Sequence, residues 1–136
     1  MLTRYVLLDL ETIAAPDAEQ WLPPVEQDKR FTDPAKIAAD LTTKREAQLA
    51  GAALDPDLCQ IIAVGYETED GSLSMVSELV TSLDAERAVL ETVWQLVNPS
   101  RPMVGYGLTW FDAGVLVRRS QLLGVLVPAW IYKQGK

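Results

Sequence analysis

Tyr5 to Leu8 are apolar throughout, and the run closes on Asp9-Leu10-Glu11-Thr12. A stretch with so few polar positions predicts a strand buried on both faces, at the centre of a sheet. Strand side chains alternate, so Asp9 and Glu11 share a face and Leu10 points the other way. Residues 14–30 carry Pro16, Pro23 and Pro24 without periodicity and read as a long loop. Asp33-Pro34 is a helix start, a carboxylate N-cap followed by proline at the first helical position. The helix expected from Ala35 to about Ala53 has only a weak stripe, Ile37, Ala38 and Leu41 with Leu49 and Ala53 loosely extending it. It reads as a surface arm over the strand ends, with Lys36, Lys44 and Arg45 on a solvated face rather than on phosphate.

Asp55-Pro56-Asp57 ends that helix, and Gln60 to Glu67 reads as a second strand. Glu69-Asp70-Gly71 is a hairpin turn into a third strand, Ser72 to Leu79, antiparallel to the second. Ser82 caps the next helix, with Asp84 and Glu86 in its first turn suiting the helix dipole. Leu90, Val93, Trp94 and Val97 then fall on one buried face, which makes Trp94 core, and Asn98-Pro99 is the stop. Pro102 to Gly107 is a short buried strand entering a glycine-flanked turn. A last helix begins near Phe111-Asp112, carries Val115, Leu116, Arg119, Leu122 and Leu123, and stops at Gly124. Val125 to Lys136 shows no clear element. The order predicts one α/β domain over 1–136, with a mixed sheet, flanking helices and a helical insertion at about 32–54. In such sheets ligands gather at the carboxyl ends of strands, near Asp9, Glu11 and the turn before Asp112.

Composition narrows the chemistry. Hydrophobic residues make up 49% of 136, with four Trp, as expected of a folded globular domain. No apolar run approaches the roughly 18 residues of a membrane span, and no secretory leader pattern is present. The expectation is a cytoplasmic protein without a membrane partner. Cys59 is the lone cysteine, which rules out an intrachain disulfide and multi-thiolate zinc, and its apolar neighbours make it a buried hydrophobe. Histidine is absent, so serine and cysteine catalysis through imidazole is excluded, as is histidine-ligated zinc. The net charge of −7 opposes a polyanionic partner, yet after Asp112 there is no acidic residue and Arg118, Arg119, Lys133 and Lys136 are basic.

Two like charges at the end of a buried strand repel each other and resist desolvation. A hard divalent cation relieves both penalties, since oxygen ligands suit Mg2+ and Mn2+. A strand that simply emerges into solvent at Asp9 and Glu11 accounts for the same pair.

The segment DLET at Asp9–Thr12, followed about a hundred residues later by VGYGLTWFDAGVLVRRSQLLG, resembles the DEDD-type 3′–5′ exonucleases. Within that superfamily the chain is most similar to the family-B-polymerase-like exonucleases, phage forms among them. The resemblance covers Tyr5 to Thr12 and roughly Pro34 to Gly124, and it implies a ribonuclease-H-like fold. It also implies two divalent cations, Mg2+ or Mn2+, about 3.5–4 Å apart, activating water and stabilising the leaving 3′ oxygen. Asp9 would bridge both ions, Glu11 would hold the ion of the attacking water, and Asp112 would support the second. Thr12 and Leu10 would lie by the terminal nucleotide, with Gly107, Trp110 and Phe111 lining the substrate side.

Phe111 doubles as ordinary core, and Trp110 reads as a partly buried anchor before it reads as a base-stacking ring. The implied partners are the 3′ end of a single-stranded nucleic acid, DNA first, and a polymerase or a replication or repair complex. Two features depart from the family: Gly107 stands where asparagine is usual, and the third motif, Tyr or His followed four residues later by Asp, is missing. Tyr132 is followed at that spacing by Lys136. The expectation is therefore the N-terminal part of a longer exonuclease, incomplete at its C-terminus, or a degenerate or split form. Weak ion binding and poor turnover are expected without a fourth carboxylate. An inert nucleic-acid-binding or polymerase-associated module of the same fold is the alternative. A phosphatase using Asp9 as nucleophile is the less favoured enzyme, because Glu11 stands where that class places Asp.

Overall fold

The computed structural model describes residues 4–69, 76–108 and 110–133, and for 76–79 the backbone alone. Four strands form one sheet, β1 (Val6–Ala14), β2 (Cys59–Thr68), β3 (Val76–Leu79) and β4 (Met103–Val104), in the order β3-β2-β1-β4. β1 and β2 are antiparallel, as are β2 and β3, whereas β4 runs parallel to β1. Three helices accompany them: α1 (Pro34–Ala52), α2 (Leu83–Leu96) and α3 (Asp112–Leu123). Short 3-10 turns occupy Ala18–Gln20 and Ile131–Lys133. The result is a small α/β domain with a mixed sheet and flanking helices.

The local signals for helix ends hold because each is decided by a single hydrogen bond or dihedral. Asp33 Oδ1 accepts from the Ala35 N–H at 3.0 Å with Pro34 as the first helical residue. Ser82 Oγ accepts from the Ala85 N–H at 3.0 Å, and Gly124 closes α3 in the left-handed conformation at φ 70°. The third strand begins only at Val76 in the described part, and the expected turn residues Asp70 and Gly71 lie outside it.

β1 departs from expectation: it is not buried on both faces. Val6, Leu8 and Leu10 are buried, while Leu7, Asp9 and Glu11 are exposed. The apolar run belongs to a strand with one covered face, the pattern of an antiparallel sheet packed on one side. α2 and α3 cover that side with Val89, Leu90, Val93, Trp94, Val115 and Leu116. Trp94 is core as expected, and its indole N–H donates to Ser120 Oγ at 2.8 Å. Cys59 is fully buried, and burial pushes its thiol up to about 11. The tail after Gly124 is not idle: Val125 and Val127 join the core, with Trp130 and Ile131 packed against it. Along α3, Val115, Leu116, Arg119 and Ser120 are buried, whereas Leu122 is exposed.

α1 has the surface character its weak stripe implied; Ala52 is its only buried residue. It lies against the preceding loop through polar contacts, with Lys44 Nζ donating to the Glu26 carbonyl and Gln48 Nε2 to that of Pro23. Lys44 is also paired with Asp40, so its charge is already engaged within the domain.

Candidate functional site

The open face of β1 carries the two strand carboxylates. Asp9 pairs across the sheet with Gly65 and Glu11 with Ala63, so nothing bulky on β2 stands over either one. The register shifts just beyond, between Glu11 and Thr12, where Ile62 is the extra residue on β2. That bulge also reverses the burial phase of β2, from Cys59 and Ile61 to Val64, Tyr66 and Thr68. A bulge bends its strand and re-aims the side chains around it. Thr12 uses its hydroxyl to donate to the Ala53 carbonyl at 2.6 Å, tying the end of β1 to the end of α1.

Asp112 arrives from the other side of the chain. β4 leaves the sheet at Gly105, where a Cβ would stand 2.5 Å from the Leu8 carbonyl oxygen, so only glycine lets the backbones pass this closely. Gly107 then turns in the left-handed region at φ 69°, and its carbonyl accepts from the N–H groups of both Trp110 and Phe111. That hydrogen-bonded turn delivers Asp112 as the first residue of α3, without a side-chain cap from Phe111.

Asp112 is 5% exposed, and its Oδ2 has no hydrogen-bond partner. Burial first, then the charges of Asp9 and Glu11, raise its carboxyl above the ordinary aspartate value. Asp112, about a hundred residues further along the chain, thus shares one electrostatic neighbourhood with Asp9 and Glu11. The three acids are not drawn into a single coordination sphere: among the described residues no group of three or more His, Cys, Asp or Glu is arranged to hold a metal ion.

The remaining expected residues divide by side-chain direction. Leu10 points into the core, and Phe111 is half-buried against it. Trp110 is not a partly buried anchor; it is 93% exposed, because Phe111 takes the inward position at the end of the turn. Tyr106, a residue the motif reading passed over, is fully exposed on the same turn.

The sequence reading also missed a buried ion pair. Arg119 Nε and Nη2 donate to Glu86 Oε1 and Oε2, each at 2.7 Å, with both residues buried. Glu86 Oε1 further accepts from the Ile61 N–H at 3.2 Å, just past the last β2–β3 pair, Ala63 with Leu79. The signal was present: Glu86 lies one turn before Leu90 and Arg119 one turn after Val115, opposite charges on two buried stripes.

A cavity of about 820 Å³ opens at the far half of α3, between Trp21, Leu83, Arg118 and Leu122, and none of the three acids lines it. No family model matches the chain, and neither a curated protein nor a solved structure matches it significantly.

Proposed function

We propose that the chain is a metal-dependent 3′–5′ exonuclease domain of ribonuclease-H-like fold that acts on single-stranded nucleic acid, DNA first. The observation that carries the reading is Asp112. A buried carboxylate with an orphan oxygen, repelled by two further carboxylates, is a costly arrangement that a bound cation would relieve. Three hard oxygen donors suit Mg2+ or Mn2+, and the order of β1, β4 and α3 accords with the motif resemblance. Asp9 and Glu11 are exposed on an uncrowded face, so their side chains have room to turn toward Asp112 once repulsion is neutralised.

Two divalent cations, when bound, would supply an activated water and charge stabilisation for an in-line displacement at phosphorus. The chain's own part is to hold and orient. Asp9 and Glu11 offer oxygens from one rigid strand, and Asp112 offers its free Oδ2 from the first turn of α3. Gly107 adopts a left-handed backbone that asparagine also tolerates, so the family's usual residue would fit this turn, although glycine supplies no side-chain amide. A replication or repair polymerase is the proposed assembly partner.

A second reading has its own support. Among the described residues no group of three or more His, Cys, Asp or Glu is arranged to hold a metal ion, and an inert strand-binding module would need none. A 5′-labelled single strand incubated with the protein and Mn2+ separates the two. The exonuclease reading expects stepwise loss of 3′ nucleotides, reduced to background in Asp9→Ala. Equal digestion by Asp9→Ala would contradict it, and salt-sensitive binding without digestion at millimolar Mn2+ would favour the inert module.

A further inference from the structure

We propose that the cavity at the far half of α3 is a binding site for a small organic cation, an aromatic or aliphatic body carrying one ammonium or guanidinium group. The inference goes beyond the nuclease reading and does not depend on it, since Asp9, Glu11 and Asp112 do not line this cavity. Its volume of about 820 Å³ falls within the ~300–1,000 Å³ of small-molecule sites, which are concave, mostly apolar and furnished with a few polar groups.

Three segments meet there: the loop that follows β1, the start of α2 and the last turn of α3. Each contributes a large apolar side chain that the core leaves out, Trp21 at 71% exposure, Leu83 at 54% and Leu122 at 50%. Leu83 and Leu122 are held by their helices. Trp21 lies on the loop, yet the loop is pinned. The Ala15 N–H donates to the Leu58 carbonyl at 2.8 Å, Ala18 is buried, and the Trp21 N–H donates to the Ala18 carbonyl at 3.0 Å. Exposed hydrophobes that converge on one concavity, rather than lying scattered singly, mark an interaction site.

Charge selects the ligand. The arginines around the cavity are engaged with acids: Arg118 with Asp57, Arg119 with Glu86, and Arg87, which also donates to the Leu123 carbonyl, with Asp84. Among the described residues Asp17 is the lining carboxylate left without an ion-pair partner. Its charge acts on Arg119, which places it on the cavity side of the loop. Asp17 and Trp21 flank the same 3-10 turn, so one short element sets a carboxylate beside an exposed indole. An anion would have to draw Arg118 away from Asp57 and would still face Asp17. A cation finds Asp17 free and gains a further attraction over the face of Trp21.

The test titrates the protein at pH 7 with 4-phenylbutylamine, with the neutral 4-phenylbutanol and with the anion 5-phenylpentanoate, followed by backbone amide NMR shifts. Shifts are expected at residues 15–21, Leu83 and Leu122. The amine should bind about threefold more tightly than the alcohol and about tenfold more tightly than the anion. Asp17→Asn should bring the amine to the level of the alcohol and leave the alcohol unchanged. Trp21→Ala should weaken amine and alcohol alike, and Trp21→Phe should restore most of the loss. Thermal melts matching wild type would show that these exposed substitutions leave the fold intact.

Absence of shifts at the cavity with all three probes at millimolar concentration would overturn the inference. So would an anion that binds as tightly as the amine, or a preference for the amine that persists in Asp17→Asn. Neither substitution touches the three acids, so failure here leaves the nuclease reading standing. Selective amine binding by a protein that never digests a labelled strand in Mn2+ would keep the inference and remove the nuclease reading.

Discussion

α3 carries two buried charges about 10 Å apart along its axis, and the fold treats them in opposite ways. Arg119 is met by Glu86 in a two-pronged pair, with the Ile61 N–H closing the set. Asp112 is equally removed from water, yet one of its oxygens has no partner and its nearest charges are of the same sign. The first arrangement is complete within the chain. The second lacks a positive charge. A buried carboxylate left uncompensated beside two further carboxylates is the observation on which the proposed cation site rests.

The contrast makes graded demands. Breaking the completed pair should do the most damage: Glu86→Ala strands a buried guanidinium and removes the acceptor of Ile61, costing about 3–5 kcal/mol in urea denaturation. Replacing Glu86 and Arg119 together by Leu and Met should cost less than that single change, because neither charge is then left alone.

Gly105→Ala touches neither charge but forces a Cβ against the Leu8 carbonyl. A loss of about 1–3 kcal/mol is expected, together with a displaced Asp112 turn that dims any response to cations.

Asp112→Asn should act in the other direction. Its carboxyl holds a proton more tightly folded than unfolded, so from the ordinary value of 3.8 up to the raised one the folded state binds more protons. Stability therefore falls as pH rises through that window, and the variant should gain on wild type from about pH 4 toward neutrality. Paired urea melts across that range measure the gain; parallel curves would mean that the Asp112 carboxyl is already neutralised.

The smallest effect is expected at Cys59. Burial raises its thiol to about 11, so alkylation at pH 8 should be slow in the native protein and become fast once urea has unfolded it.

What could be read from the chain follows the range of the forces involved. Helix limits at Asp33, Ser82 and Gly124 were legible, since each depends on a few neighbouring residues. The one-sided burial of β1 was not, because Leu7 is as apolar as Leu8 and only the absence of a covering layer among the described residues distinguishes them. The tail showed no periodicity, yet Val125 and Val127 are buried by folding back onto the helices. Ile61 and Ile62 sit side by side in the sequence, a break in alternation that marks the bulge only once β1 is laid beside it. Asp9 and Glu11 were legible as a pair from strand geometry. Their nearness to Asp112 was legible only in outline, from the gathering of ligands at strand carboxyl ends and from the motif resemblance, since no local period spans about a hundred residues.

The account stands most directly on whether Asp112 completes a cation site. Urea unfolding of wild type and Asp112→Asn at neutral pH, with and without Mn2+, measures this without requiring turnover. Wild type should gain stability with added Mn2+, about 2.7 kcal/mol at a hundredfold excess over the dissociation constant, while Asp112→Asn gains little. Equal gains in both proteins, or none in either, would contradict the claim that the three carboxylates act as one site.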